Sequence, residues 1–98
     1  MSFVALSKVS YPAHLKDDIQ SVGLQMIPVA REQPGFVSIA FHQSAQQNET
    51  MMYWEWESVA HHEACMQSAD WSTFMQQFAD LFSQEGVGFT LETYDRLG

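Results

Sequence analysis

The chain has 98 residues, 12 acidic and 4 basic, for a net charge of −8, with 46% hydrophobic and 13% aromatic side chains. A field of that sign repels nucleic-acid backbones and anionic membrane surfaces, and no cluster of Lys or Arg offsets it, so neither is expected as a partner. No apolar run is longer than Phe3–Leu6, which excludes a membrane-spanning segment and a secretory core, and the single cysteine cannot form an internal disulfide. These features together predict a cytoplasmic protein. Residues 1–98 are expected to form one domain, and its apolar content is high enough to predict self-association.

Phe3–Val9 reads as a first strand with two apolar faces, Val4 and Leu6 on one and Phe3, Ala5, Ser7 and Val9 on the other. Pro12 suits the first position of a helix, and Leu15, Ile19, Val22, Met26 and Val29 form its apolar stripe. Pro28 removes the hydrogen bond to the Leu24 carbonyl, at ~3 kcal/mol for a straight helix, so a kink or break is expected there. Pro34-Gly35 is a stop signal. In the second strand, Phe36–Ser44, strict alternation assigns Val37, Ile39 and Phe41 to the core and Phe36, Ser38, Ala40 and His42 to the other face.

A hairpin at Gln43–Glu49 leads to a third strand, Thr50–Glu57, dense in large apolar residues (Met51, Met52, Tyr53, Trp54 and Trp56). Ser58 is a good N-cap for a short helix ending near Gln67. A second helix begins at Ser68-Ala69-Asp70 and continues to Phe82 with Trp71, Phe74, Phe78 and Leu81 in its stripe. Gly86 and Gly88 release a last strand, Val87–Tyr94. The order strand–helix–strand–strand–helix–strand predicts an α+β, ferredoxin-like βαββαβ fold with a four-stranded antiparallel sheet and helices on one face. Phe3, Ala5, Val9 and Phe36 are expected on the helix-free face, packed against a second copy in a homodimer.

In Pro34-Gly35-Phe36, Tyr53-Trp54-Glu55-Trp56-Glu57-Ser58 and Ser68-Ala69-Asp70-Trp71-Ser72-Thr73-Phe74, the chain resembles the antibiotic biosynthesis monooxygenase (ABM) domain family. The resemblance spans residues 3 to about 96 in order and spacing. It implies a dimeric α+β barrel acting on a small aromatic or quinol-like molecule with O2 and without a metal or flavin cofactor. Family members often carry a histidine where this chain has Cys65, and a second where it has Asp70. The haem-degrading branch uses an asparagine where Ser7 stands, and a tryptophan and a histidine ligand where Cys65 and Met75–Gln77 stand, so the likeness does not extend to haem degradation.

The chemistry implied needs a base to take the proton from a phenol or hydroquinone, and histidine suits that role near neutral pH. His61 and His62 are the candidates. As neighbours about 100° apart on a helix, only one can point inward, and both could equally be boundary histidines at a helix start. His62 shares a stripe with Val59 and Met66, which favours it facing the sheet. Ser7, His42, Tyr53, Glu55, Trp56, Cys65 and Trp71 are candidate substrate-binding residues, with Glu55 a second possible base if its face is closed to solvent. His61 and Cys65, one turn apart, make only half a metal site, and no metal is expected. The alternatives are a non-catalytic binding or dimerisation module and a small-carbonyl isomerase, which would need the base but no oxygen.

Overall fold

In the computed structural model, which describes residues 2–98, β1 (Phe3–Ser10) is followed by a short 3-10 turn and α1 (Lys16–Arg31). Next come β2 (Phe36–Gln43), β3 (Glu49–Trp56), α2 (Val59–Met66), α3 (Ala69–Gln77), α4 (Ala79–Phe82) and β4 (Gly88–Asp95). The strands form one sheet in the order β2-β3-β1-β4 with every neighbouring pair antiparallel, the ferredoxin-like arrangement.

Directly opposed residues in a sheet share a face, so the pairing register assigns every side chain. Trp56 pairs with Phe3 and Phe36, Trp54 with Ala5 and Ile39, and Met52 with Ser7 and Phe41. Ala5, Met52, Trp54 and Trp56 pack with Ala30 of α1 and Cys65 of α2 in one buried cluster, so this is the helix-covered face. Phe3, Ala5, Val9 and Phe36 therefore lie under the helices, not on the bare face as alternation suggested. In β1 both faces are apolar, and alternation alone has no power to choose between them. In β2 the register shifts between Phe36 and Ser38. The extra residue turns Val37 out to 45% exposure and puts Phe36 in phase with Ile39 and Phe41. The bare face is built from Leu6 and Lys8, Ala40 and His42, Met51, Tyr53 and Glu55, with Glu92 and Tyr94 at the β4 edge.

The local signals act as their chemistry dictates. Ser58 and Ser68 cap α2 and α3, each hydroxyl accepting from a backbone N–H three residues on, His61 at 3.3 Å and Trp71 at 3.2 Å. α1 runs through Pro28 to Arg31 without the expected break. Leu24 and Pro28 are both exposed, so the carbonyl that Pro28 leaves without a donor is on the solvated side, where water replaces the lost bond. The last helical segment does break, at Phe78 (φ −113°, ψ 14°). The break lets Leu81 and Phe82 turn onto a second cluster, Tyr11, Leu15 and Ile19, while Phe74 stays with Trp71.

Gly35 joins α1 to β2 at φ +80°, and its carbonyl accepts from the Glu57 N–H at 2.8 Å. The His61 ring lies where a Cβ on residue 35 would stand. Gly35→Ala is therefore expected to cost about 2–3 kcal/mol, from left-handed backbone strain together with the clash, measured as a lower urea midpoint. Adding His61→Ala should recover only a fraction of the steric loss, because the Cβ of residue 61 would still stand 2.5 Å from the new methyl.

Candidate functional site

Between the sheet and the helices lies a cavity of about 310 Å³. Its floor is one rung of the sheet, Phe41–Met52–Ser7–Leu91 from β2 to β4, and part of the next, Thr50–Val9–Phe89. α1 roofs it with Ile19, Val22, Gly23 and Met26, and the other helices contribute His62, Met66, Trp71, Met75 and Phe82. Four of the chain's six methionines are in this lining and make its surface flexible and polarisable. Phe89 and Leu91 remain 62% and 47% exposed, which marks the β4 edge as the open side.

Apart from indole N–H groups, the lining offers three polar side chains, Ser7, Thr50 and His62. Trp54 Nε1 donates to Ser7 Oγ at 3.3 Å, which fixes the hydroxyl and leaves its own proton free for a ligand. His62 is buried in ring contact with Phe3 at 5.2 Å and Trp56 at 6.0 Å. Burial lowers its pKa below 6.5, against a smaller opposing pull from Glu63. The imidazole is therefore neutral at pH 7, with one nitrogen able to accept a proton.

The other sequence candidates lie elsewhere. His61 is at the surface, its Nδ1 2.7 Å from Ser58 Oγ and its Nε2 4.0 Å from Glu57, and it lines no part of the cavity. His42, Tyr53 and Glu55 belong to the opposite face of the sheet. Trp56 is fully buried behind the cavity, and its Nε1 is an unpartnered buried donor among the described residues. Cys65 is buried as well, and loss of solvation pushes its thiol up to about 11, so it stays protonated and unreactive. Ser7, His62 and Trp71 are the candidates that meet in the hollow. Thr50, Phe41, Gly23 and the methionines were not foreseen, although Thr50 is in strict phase with Met52, Trp54 and Trp56. No group of three or more His, Cys, Asp or Glu able to hold a metal occurs among the described residues. No helix there is long and apolar enough to cross a membrane.

A small α+β sheet-and-helix unit with a nearly uncharged hollow under its helices is the class defined by this geometry. The sequence profile described as "Antibiotic biosynthesis monooxygenase" matches residues 11–77, and the chain belongs to that family. Its fold is similar to a protein of Mycobacterium tuberculosis at TM-score 0.83, with 13% identity over 100% of this chain and 97% of the other. It is also similar to a point variant of SnoaB, a cofactor-independent oxygenase of Streptomyces nogalater, at TM-score 0.81 and 9% identity, over 97% and 92% of the two chains. A third similar structure, from Pseudomonas aeruginosa, has TM-score 0.79 and 12% identity, over 99% and 95%. No curated protein matches the chain by sequence.

The bare face holds a buried charge. Glu55 is 4% exposed and receives hydrogen bonds from Ser2 Oγ (2.5 Å), Arg96 (2.8 and 3.1 Å) and Tyr53 (3.2 Å). The Ser2 bond, then those of Arg96 and Tyr53, hold its carboxyl below the usual value against the opposing effect of burial. A lowered folded-state pKa favours the ionised native form, so this stabilisation is complete above pH 4.5 and is lost as pH falls through the lowered value. At pH 7, Arg96→Ala is expected to cost about 1–2 kcal/mol, modest because the half-exposed guanidinium is screened by solvent. In urea titrations from pH 7 to 3, the gap between the wild type and Glu55→Gln should narrow on acidification, with ligand binding on the far side of the sheet unchanged.

Proposed function

We propose that the protein is a cofactor-independent monooxygenase acting on an aromatic or quinol-like small molecule held in the cavity. The observation that carries this reading is His62, the one ionisable side chain in a largely apolar lining, buried against the rings of Phe3 and Trp56. Family membership supports the oxygen chemistry, and the lining supports an uncharged, flat substrate.

His62 takes the phenolic proton. The electron-rich anion that results reacts with O2, and one oxygen atom enters the product while the other leaves as water, with the electrons supplied by the substrate. Ser7 and Thr50 donate hydrogen bonds to the developing anion, and the apolar walls exclude water that would stabilise it before O2 arrives. Trp54 and Trp71, in edge contact at 5.3 Å, flank the ring.

Purified protein with menadiol or a naphthol is expected to consume O2 above background, and His62→Ala to slow uptake by roughly 10²–10⁴-fold, the range for losing a general base. His61→Ala should change the rate little. Because burial lowers the pKa of His62, the rate should be flat above pH 6.5 and fall only as pH drops through a lower value. No uptake with any such substrate, or uptake indifferent to His62, would overturn the assignment. Turnover of a carbonyl compound without oxygen would point to an isomerase instead.

The working form we propose is a cytoplasmic homodimer, with Leu6, Met51 and Tyr53 of the bare sheet face packed against their counterparts in a second copy. Sedimentation at micromolar concentration should give the mass of two chains, and a stable single chain would refute this.

A further inference from the structure

The two ends of the cavity floor differ. The rung Phe41–Met52–Ser7–Leu91 crosses all four strands, so Phe41 and Leu91 stand about 14 Å apart, three strand spacings, with Ser7 between them. The Leu91 end is open. The Phe41 end is closed, because the ring reaches up from β2 and its outer carbons meet the backbone of α1 at Gly23, leaving no room for a Cβ there. Glycine is a poor helix former, yet Gly23 sits in the interior of a 16-residue helix and is buried. Its left-handed freedom is not used, so what the position requires is the missing side chain.

We propose that the Phe41 ring, seated on Gly23, is the stop that sets how long a ligand the cavity accepts. This rests on the reading of the cavity as the substrate site. A ligand entering past Leu91 places its polar end at Ser7, Thr50 and His62 and its apolar end against the Phe41 ring. Removing the ring lengthens the hollow beneath α1. A Cβ at residue 23 pushes the ring off its seat and into the space the ligand needs, since the helix backbone above it cannot yield.

The test is a binding cycle that needs no turnover. Wild type, Gly23→Ala, Phe41→Ala and the double variant are titrated with N-phenyl-1-naphthylamine, a neutral probe that fluoresces in apolar sites. The bound probe is then displaced with 2-naphthol or 2-hydroxyanthracene. Gly23→Ala should weaken probe binding about tenfold or more, and should have no further effect, within about twofold, once Phe41 is alanine. Phe41→Ala should shift the preference about tenfold toward the three-ring competitor. If a variant fails to fold, Phe41→Leu keeps an apolar side chain in the site and must still shift the preference toward 2-hydroxyanthracene. A Gly23→Ala penalty that persists without Phe41, an unchanged ring preference, or no probe binding by the wild type would each overturn the proposal. Oxygen uptake is a separate measurement. Binding that follows this pattern without O2 consumption would sink the monooxygenase reading and leave the Phe41 stop standing.

Discussion

The structure depends on which face of β3 the helices cover. That strand places Thr50, Met52, Trp54 and Trp56 on one side and Met51, Tyr53 and Glu55 on the other. Two indoles carry more apolar area than anything on the opposing face, each burying roughly 150–250 Å², so the helices settle there. Once they do, pairing fixes the rest. Ala5 lies between Trp54 and β4, where a larger side chain would lift the indole. Ser7, two residues on, comes within reach of the Trp54 N–H and supplies the acceptor that a buried indole requires. A one-residue slip of β3 would expose both tryptophans and bury Glu55 among the helices, so the register is strongly specified.

The same alternation separates charge from chemistry. Glu55, a buried carboxylate, is satisfied on the bare face by Ser2, Arg96 and Tyr53, and its strong solvation by hydrogen bonds makes it a poor base. The cavity on the other side receives none of the chain's acidic residues. Its electrostatics reduce to one imidazole whose burial favours neutrality and two hydroxyls with protons to donate. A phenolate formed there would meet donors rather than competing anions. His61, adjacent in sequence to His62, instead braces the corner where Gly35 accepts from Glu57, with its Nδ1 held by the capping Ser58. Neighbours on a helix point about 100° apart, and here that separation puts one ring at a surface corner and the other in the cavity wall.

Element order, the Ser58 cap, the helix start at Ser68 and the Pro34-Gly35 stop were legible in the sequence, because each is a local preference that tertiary packing reinforces. The choice of face was not. β1 offers apolar residues in both phases, and the phase of β2 is changed by a bulge between Phe36 and Ser38, where either Phe36 or Val37 would suit a core. No pattern of hydrophobicity distinguishes them, and only the pairing with Trp56 does. The break at Phe78 was hidden for the same reason, since Phe74, Phe78, Leu81 and Phe82 continue one helical stripe although Phe74 packs on Trp71 while Leu81 and Phe82 pack on the Tyr11 cluster. His62 and Trp71 were readable as members of an aromatic cluster. Thr50 and Gly23 were not, since Thr50 reads as one more β-branched strand residue and Gly23 is set apart only by the side chain it lacks.

Smallness is also what keeps the hollow open. Between the sheet centre and α1 the chain places Ser7 and Thr50 below and Gly23 above, with the bulky side chains of Phe41, Trp54 and Trp71 displaced to the perimeter. Apolar hollows in a tightly packed interior are unfavourable, by roughly 24 cal/mol per Å³ where they have been engineered. A chain of this length has a total stability of about 5–15 kcal/mol from which to meet such a cost. Methionine lowers it, because its unbranched side chain can follow whatever occupies the space and relax inward when nothing does. The helices of the second half are short, and none of them covers β4, so Phe89 and Leu91 stay exposed and the hollow keeps a route to solvent. A closed, dry void in the same place would add only instability. An open one lined by Met, Trp and a single neutral histidine has the form of a binding site.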